Sequence, residues 1–153
     1  MTREPKNVLL GIGNRMKCDD GAGSFIVQHF HHHHWITIDG GSAPENITSV
    51  IKKFRPKLLV MIDTSQMNID VGSFRIIPFE KIISLQLSTH SMPLNFLIEY
   101  LAPYCQKIIL IGIQPLSTDF GEHLSKPVLD GCLRLIELIK ENRIEDIEIF
   151  SSC

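Results

Sequence analysis

The chain has 153 residues, 44% hydrophobic and 21% charged, with a formal net charge of −2 when its seven histidines are neutral. That balance fits one domain spanning residues 1–153 with a sizeable core, and it excludes a disordered chain. Nothing in the charge suggests nucleic acid or an anionic membrane as a partner, and the longest apolar run, residues 108–113, falls far short of the roughly 20 residues of a membrane span.

Residues 6–12 are a short apolar run ending at a glycine turn, predicted as a strand buried on both faces. Asp19 and Asp20 follow, and a helix is expected from Asp20 or Gly21, with Phe25, Ile26 and Phe30 at helical spacing. Asp20 has a local reading there as a helix cap, in a place where the dipole favours an acid. His29 and the run His31, His32, His33 and His34 read first as a polar helix end and loop. The competing reading is a patch that holds nickel or zinc, because neutral imidazole binds both.

Residues 35–38 alternate as a second strand and reach a turn at Asp39-Gly40-Gly41. A proline-led helix is expected from about residue 43 to Phe54, stopped at Arg55-Pro56. Residues 58–62 are the clearest buried strand and lead into Asp63-Thr64-Ser65. Residues 73–77 are expected to return as a hairpin strand. His90 lies in a loop ahead of a helix that starts near Pro93, and residues 107–113 form another strand. A last helix opens at 125–127 with Val128, Cys132, Leu135, Ile136 and Ile139 on one face. Residues 144–150 suggest a loose strand.

Strands alternating with helices predict an α/β fold: a single domain with a twisted, mostly parallel mixed sheet of about five strands and helices on both faces. Ligands in such sheets gather beyond the carboxyl ends of the strands. Asp20, Asp39 and Asp63 are all expected just after strands. Asp20, Asp63 and His90 could therefore converge on a divalent cation with open positions for water or substrate. Two oxygens and one nitrogen suit nickel, zinc, iron or manganese, and ligand type alone does not choose. The local alternative has each aspartate closing its own turn and His90 bonding nearby.

Other chemistries fare worse. Gly11-Ile12-Gly13 lacks the third glycine of a dinucleotide loop at the required spacing, and the acid pair would repel a phosphate. Cys18 sits close to acids, which disfavour a thiolate. Cys105, Cys132 and Cys153 occupy apolar or terminal positions, and there is no Gly-x-Ser-x-Gly elbow. The scattered cysteines and the absence of an apolar signal core in residues 1–6 lead to the expectation of a cytoplasmic protein.

Gly11-Ile12-Gly13-Asn14, Asp19-Asp20-Gly21-Ala22-Gly23, Ile62-Asp63 and Thr89-His90-x-Met92-Pro93-Leu94 occur in that order. Together they resemble the nickel–iron hydrogenase maturation endopeptidases. Residues 39–46 and 110–115 look most like the subgroup that processes the hydrogenase-3 large subunit, and the resemblance covers about residues 7–140. It implies an endopeptidase, aspartic-type or metal-assisted, that removes the carboxy-terminal extension of a hydrogenase large-subunit precursor after nickel insertion. It also implies Asp20, Asp63 and His90 as metal contacts, with Asp20 and Asp63 catalytic. The metal is then the nickel of the precursor, with zinc as the alternative. The partner is the precursor, with neither nucleic acid nor membrane involved. The run at 31–34 and the carboxy-terminal tail have no counterpart in the resemblance.

Asp39 is expected to close its turn or shape the cleft, and Asp19 to bond backbone in its own turn. The glycines around the acid pair are expected to serve close backbone approach. Two other functions compete: a nickel-binding accessory module working through residues 29–34 without peptidase activity, and a metal-dependent hydrolase of small substrates.

Overall fold

The computed structural model describes residues 6–87 and 92–151. Among the described residues there are six strands: β1 (Asn7–Ile12), β2 (Trp35–Gly41), β3 (Leu58–Gln66), β4 (Phe74–Ile77), β5 (Gln86–Leu87) and β6 (Lys107–Ile113). Four α-helices join them: α1 (Ala22–His29), α2 (Thr48–Phe54), α3 (Leu94–Leu101) and α4 (Lys126–Lys140). The main sheet runs β2-β1-β3-β6-β4, and β5 pairs with the end of β3. β2, β1, β3 and β6 are parallel, and β4 is antiparallel to β6. This is the mixed five-stranded α/β sheet that the alternating pattern predicts.

The central strands read as unbroken apolar runs because helices cover both faces. Leu9, Val60 and Ile62 pack with α1 and α4 through Ile26, Val27, Val128 and Leu135. Val8, Leu10, Leu59 and Met61 pack with α2 and α3 through Ile51, Leu94, Leu97 and Leu101. Chain order reverses between β1 and β3, since β1 leads outward to β2 on one side while β3 and β6 continue on the other. The crevice beyond the carboxyl ends of β1 and β3 is thus the switch point at which doubly wound sheets bind ligands.

Glycine lets the backbone close on that crevice. A Cβ on Gly23 would lie 2.7 Å from both the amide nitrogen and the carbonyl oxygen of Ile12 and 2.9 Å from the Ile62 carbonyl oxygen. A Cβ on Gly11 would collide with the Gly23 carbonyl. α1 therefore sits directly on β1 and β3, and the expectation of close backbone approach holds. Gly23→Ala is expected to destabilise the fold by about 3 kcal/mol, because the obstructing atoms are backbone that cannot rotate away. Urea denaturation measures this as a lower midpoint with an unchanged slope.

Several local expectations change. Residues 73–77 do not return on β3. Gly72, at φ 87°, donates its N–H to the Gln114 carbonyl (2.9 Å), and the Gln114 N–H returns to the Ser73 carbonyl (2.9 Å). These bonds carry the chain past β3 to the far edge of β6. β3 runs on to Gln66 because Ser65 and Gln66 pair with Leu87 and Gln86, so Asp63 lies inside the strand instead of after it. A 3-10 turn, Cys18–Gly21, precedes α1, and no side-chain cap is made at either start. The expected strand at 144–150 is a 3-10 turn, Ile144–Asp146, followed by a single bridge from Ile149 to Ile76.

Candidate active site

Three carboxylates are buried at the switch point: Asp19, Asp20 and Asp63, the last with no exposed surface. Burying an ionised acid is costly unless donors surround it, so the donors show what each one does. Asp19 takes four hydrogen bonds. Oδ2 accepts from the Leu116 N–H (2.8 Å), the Ser117 N–H (3.3 Å) and the Ser125 hydroxyl (2.9 Å), and Oδ1 accepts from the Ser125 N–H (2.7 Å). A carboxylate offers about four lone-pair positions, two on each oxygen; Oδ2 is fully engaged by the protein and Oδ1 keeps one position. Asp19 bonds backbone as expected, but that backbone lies 97 to 106 residues away and not in its own turn. Asp19 staples the turn before α1 to the loop after β6 and to the start of α4.

Asp20 is held differently. Its Oδ2 accepts from the Asn14 N–H (2.8 Å) and its Oδ1 from the Thr64 hydroxyl (2.7 Å). Two lone-pair positions remain once those donors are counted. The local reading of Asp20 as a helix cap is not what the structure shows. Thr64 also donates its N–H to Asp63 Oδ1 (2.8 Å), so one residue ties both carboxylates into a single unit.

Strand alternation explains the arrangement. Thr64 shares the parity of Val60 and Ile62, on the α1 face, and so reaches Asp20. Asp63 shares the parity of Leu59 and Met61, on the α3 face. Ser65 has the parity of Asp63, is buried, and its hydroxyl has no hydrogen-bond partner. Thr64, Asn14 and Ser65 were not singled out as site residues from the sequence. Parity against Asp63 is a sequence signal for Thr64, and Asn14 belongs to the Gly11-Ile12-Gly13-Asn14 motif.

His90 lies outside the described residues. Of the described residues on either side of it, Leu87 pairs with Ser65 and Met92 precedes α3. Leu87, Met92 and Leu94 pack with the cluster that contains Met61, so both flanks of His90 lie on the face of Asp63. Among the described residues no three His, Cys, Asp or Glu side chains converge to hold a metal ion.

Asp39 lies within β2 and is exposed. It accepts a hydrogen bond from the Ser24 hydroxyl and another from the Gly41 N–H (3.1 Å). It closes its turn as expected, though from inside β2 and not after it, and it lines an open cleft of about 480 Å³ with Gly13, Asn14, Arg15, Met16 and Gly41.

Residues 25–142 match the family model described as HycI, hydrogenase maturation protease. The chain belongs to the hydrogenase maturation protease family. It is 38% identical over 129 residues to the hydrogenase 3 maturation protease of Escherichia coli K12, covering 82% of this chain and 83% of that one. The solution structure of the endopeptidase HycI from Escherichia coli superposes with a TM-score of 0.85 at 32% identity, over 95% of this chain and 97% of that one. The crystal structure of a [NiFe] hydrogenase maturation protease HycI from Thermococcus kodakarensis gives a TM-score of 0.79 at 30% identity, over 91% and 92%. As a member of this family the chain is a hydrolase of the endopeptidase class.

Thiol chemistry has little support in this hydrogenase maturation protease. Burial pushes the Cys105 thiol up to about 11, and burial followed by the nearby Asp19 charge pushes Cys132 up to about 12. Both remain protonated, unreactive thiols at neutral pH.

The histidine run lies at the opposite end of the sheet. The His34 carbonyl accepts the Asn7 N–H at the start of β1, roughly 20 Å along the strand from the acids. His32 stacks on His33 and both meet His34 at a tilt, with ring centroids 4.1 to 5.5 Å apart. Lost hydration, then the charges of His33, His34 and Lys140, hold His32 below the usual histidine range. Replacing residues 31–34 by asparagine is expected to leave precursor cleavage within about twofold of the parent. A cleavage time course followed on a gel checks this.

Proposed function

We propose that the chain is an endopeptidase that removes the carboxy-terminal extension of a nickel–iron hydrogenase large-subunit precursor after nickel insertion, completing its maturation. Its partner is that precursor, and the nickel is cargo of the substrate that Asp20, Asp63 and His90 engage. The observation that carries this reading is the contrast among the buried acids: Asp19 accepts four hydrogen bonds from the loop after β6 and the start of α4, while Asp20 accepts two and is coupled to Asp63 through Thr64. Family membership supplies the reaction class.

The donor set of two carboxylates and one imidazole suits nickel, with zinc as the alternative, and a bound divalent ion supplies Lewis acidity to a carbonyl. The chain's own groups do the rest. Asp20, fixed by the Asn14 N–H and the Thr64 hydroxyl, presents a carboxylate at one side of the scissile peptide. Asp63 acts as general base and takes a proton from the attacking water. The water oxygen bonds to the carbonyl carbon, the carbon–nitrogen bond breaks, and the proton passes to the leaving nitrogen. The Ser65 hydroxyl, otherwise unpartnered, is placed to donate to an oxygen bound beside Asp63. We assign the protein to the cytoplasm on its unpaired cysteines, Cys18, Cys105 and Cys132; no helix among the described residues is long and apolar enough to cross a membrane.

The purified chain should shorten nickel-loaded precursor on a gel and leave nickel-free precursor intact. Equal cleavage of both would remove nickel recognition from the account. Cleavage of neither would remove the endopeptidase assignment.

A further inference from the structure

Two loops meet beside the acid pair and expose large apolar side chains. Met16 is 45% exposed, Leu116 is 64% and Phe120 is 84%. Such residues scattered singly would need no explanation, but these three share one hydrogen-bonded frame. The Gly121 N–H donates to the Met16 carbonyl (2.8 Å), the Cys18 N–H to the Gly121 carbonyl (2.7 Å), and the Asp19 N–H to the Ser117 carbonyl (3.0 Å). Lys17 and Gly121 form a parallel bridge. Asp19 closes the frame from below by accepting from the Leu116 N–H (2.8 Å).

The apolar rim is therefore fixed before anything binds, which lowers the ordering cost of docking. It is bordered by polar groups, with Arg15, Asp119, Glu122 and His123 exposed around it, as expected of a contact patch with an apolar centre and a polar edge. The rim is also continuous with the cleft, because Met16 lines the cleft that reaches Asp39. The Met16 N–H donates to Asn14 Oδ1 (2.9 Å), and the Asn14 N–H donates to Asp20. One hydrogen-bonded path thus leads from the rim to the candidate catalytic carboxylate.

We propose that Met16, Leu116 and Phe120 form a preformed apolar rim that docks an apolar stretch of the large-subunit precursor flanking its scissile bond. This rests on the endopeptidase reading above and adds to it the surface that holds the substrate chain. Continuity with the site argues for that occupant, since Met16 belongs both to the rim and to the cleft lined by Asn14 and Asp39, and Asn14 in turn bonds Asp20.

The test measures KM and kcat for nickel-loaded precursor with the parent, with Leu116→Ser/Phe120→Ser, and with Leu133→Ser, whose leucine is 47% exposed on α4. The double variant is expected to raise KM about 30-fold with kcat within about threefold, because exposed apolar anchors contribute to binding and not to chemistry. Leu133→Ser should match the parent. Leu116→Ser/Phe120→Leu, which keeps an apolar side chain at position 120, should recover much of the affinity lost in the double serine variant, and thermal midpoints should agree among all variants. An unchanged KM in the double variant, with the parent active, overturns the rim and leaves the endopeptidase reading standing. A fall in kcat with KM unchanged also overturns it, because the loops would then act on the chemistry. A parent that does not cleave nickel-loaded precursor overturns both.

Discussion

Replacing Asp63 by asparagine is expected to lower the rate of precursor cleavage by about 10³-fold, the usual contribution of a positioned general base, while the protein stays folded. Asparagine preserves the shape of the side chain and an oxygen that can accept the Thr64 N–H, which Asp63 Oδ1 accepts at 2.8 Å. It removes the charge and with it the proton acceptor. Asp63 is buried without exposed surface, so loss of its charge also removes a desolvation cost, and stability should stay within about 1 kcal/mol of the parent or rise. Asp20→Asn should behave similarly in activity, with a modest loss of stability from turning an amide group towards the Asn14 N–H or the Thr64 hydroxyl. Single-turnover cleavage combined with thermal melting separates the two quantities. Parent-like cleavage by either variant would mean that the wrong acids have been assigned.

Asp19→Ala is expected to show the opposite profile. Four hydrogen bonds end on that carboxylate, and its removal leaves the amides of Leu116, Ser117 and Ser125 facing a cavity. Losing a buried, hydrogen-bonded charge of this kind costs about 4 kcal/mol, or a thermal midpoint lower by roughly 12 °C in a chain of this size. Catalysis measured well below that midpoint should survive to within about tenfold, since the Asp19 carboxylate is engaged by four donors of the protein itself. Two neighbouring acids would then be separated experimentally, one serving mainly stability and the other mainly turnover. An Asp19→Ala protein as stable as the parent would contradict the staple.

The sequence carried the fold well where burial is local and symmetric. β1, β3 and β6 are runs of Val, Leu and Ile that only a doubly covered sheet accommodates, and their carboxyl ends brought Asp20 and Asp63 to one crevice in the reading of the chain. What could not be read is long-range. Nothing near Asp19 in the sequence signals that its donors come from residues 116–125, so its local turn reading located the right kind of partner in the wrong place. The pairing of β4 with β6 depends in the same way on Gly72 and Gln114 meeting across some 40 intervening residues. Thr64 carries no charge to mark it, and it reaches Asp20 only because the pleat sends alternate side chains to opposite faces. The third motif residue, His90, is legible in the sequence and lies outside the described residues.

The central claim is that this chain hydrolyses one peptide bond of a nickel-bearing precursor with Asp20 and Asp63. Intact-mass measurement of nickel-loaded precursor, incubated with the parent and separately with Asp63→Asn, tests it most directly. The account predicts one truncated large subunit and one carboxy-terminal peptide whose masses sum to the precursor plus one water, formed by the parent and not by the variant. An unchanged precursor mass, a ragged set of products, or equal cleavage by Asp63→Asn would contradict it.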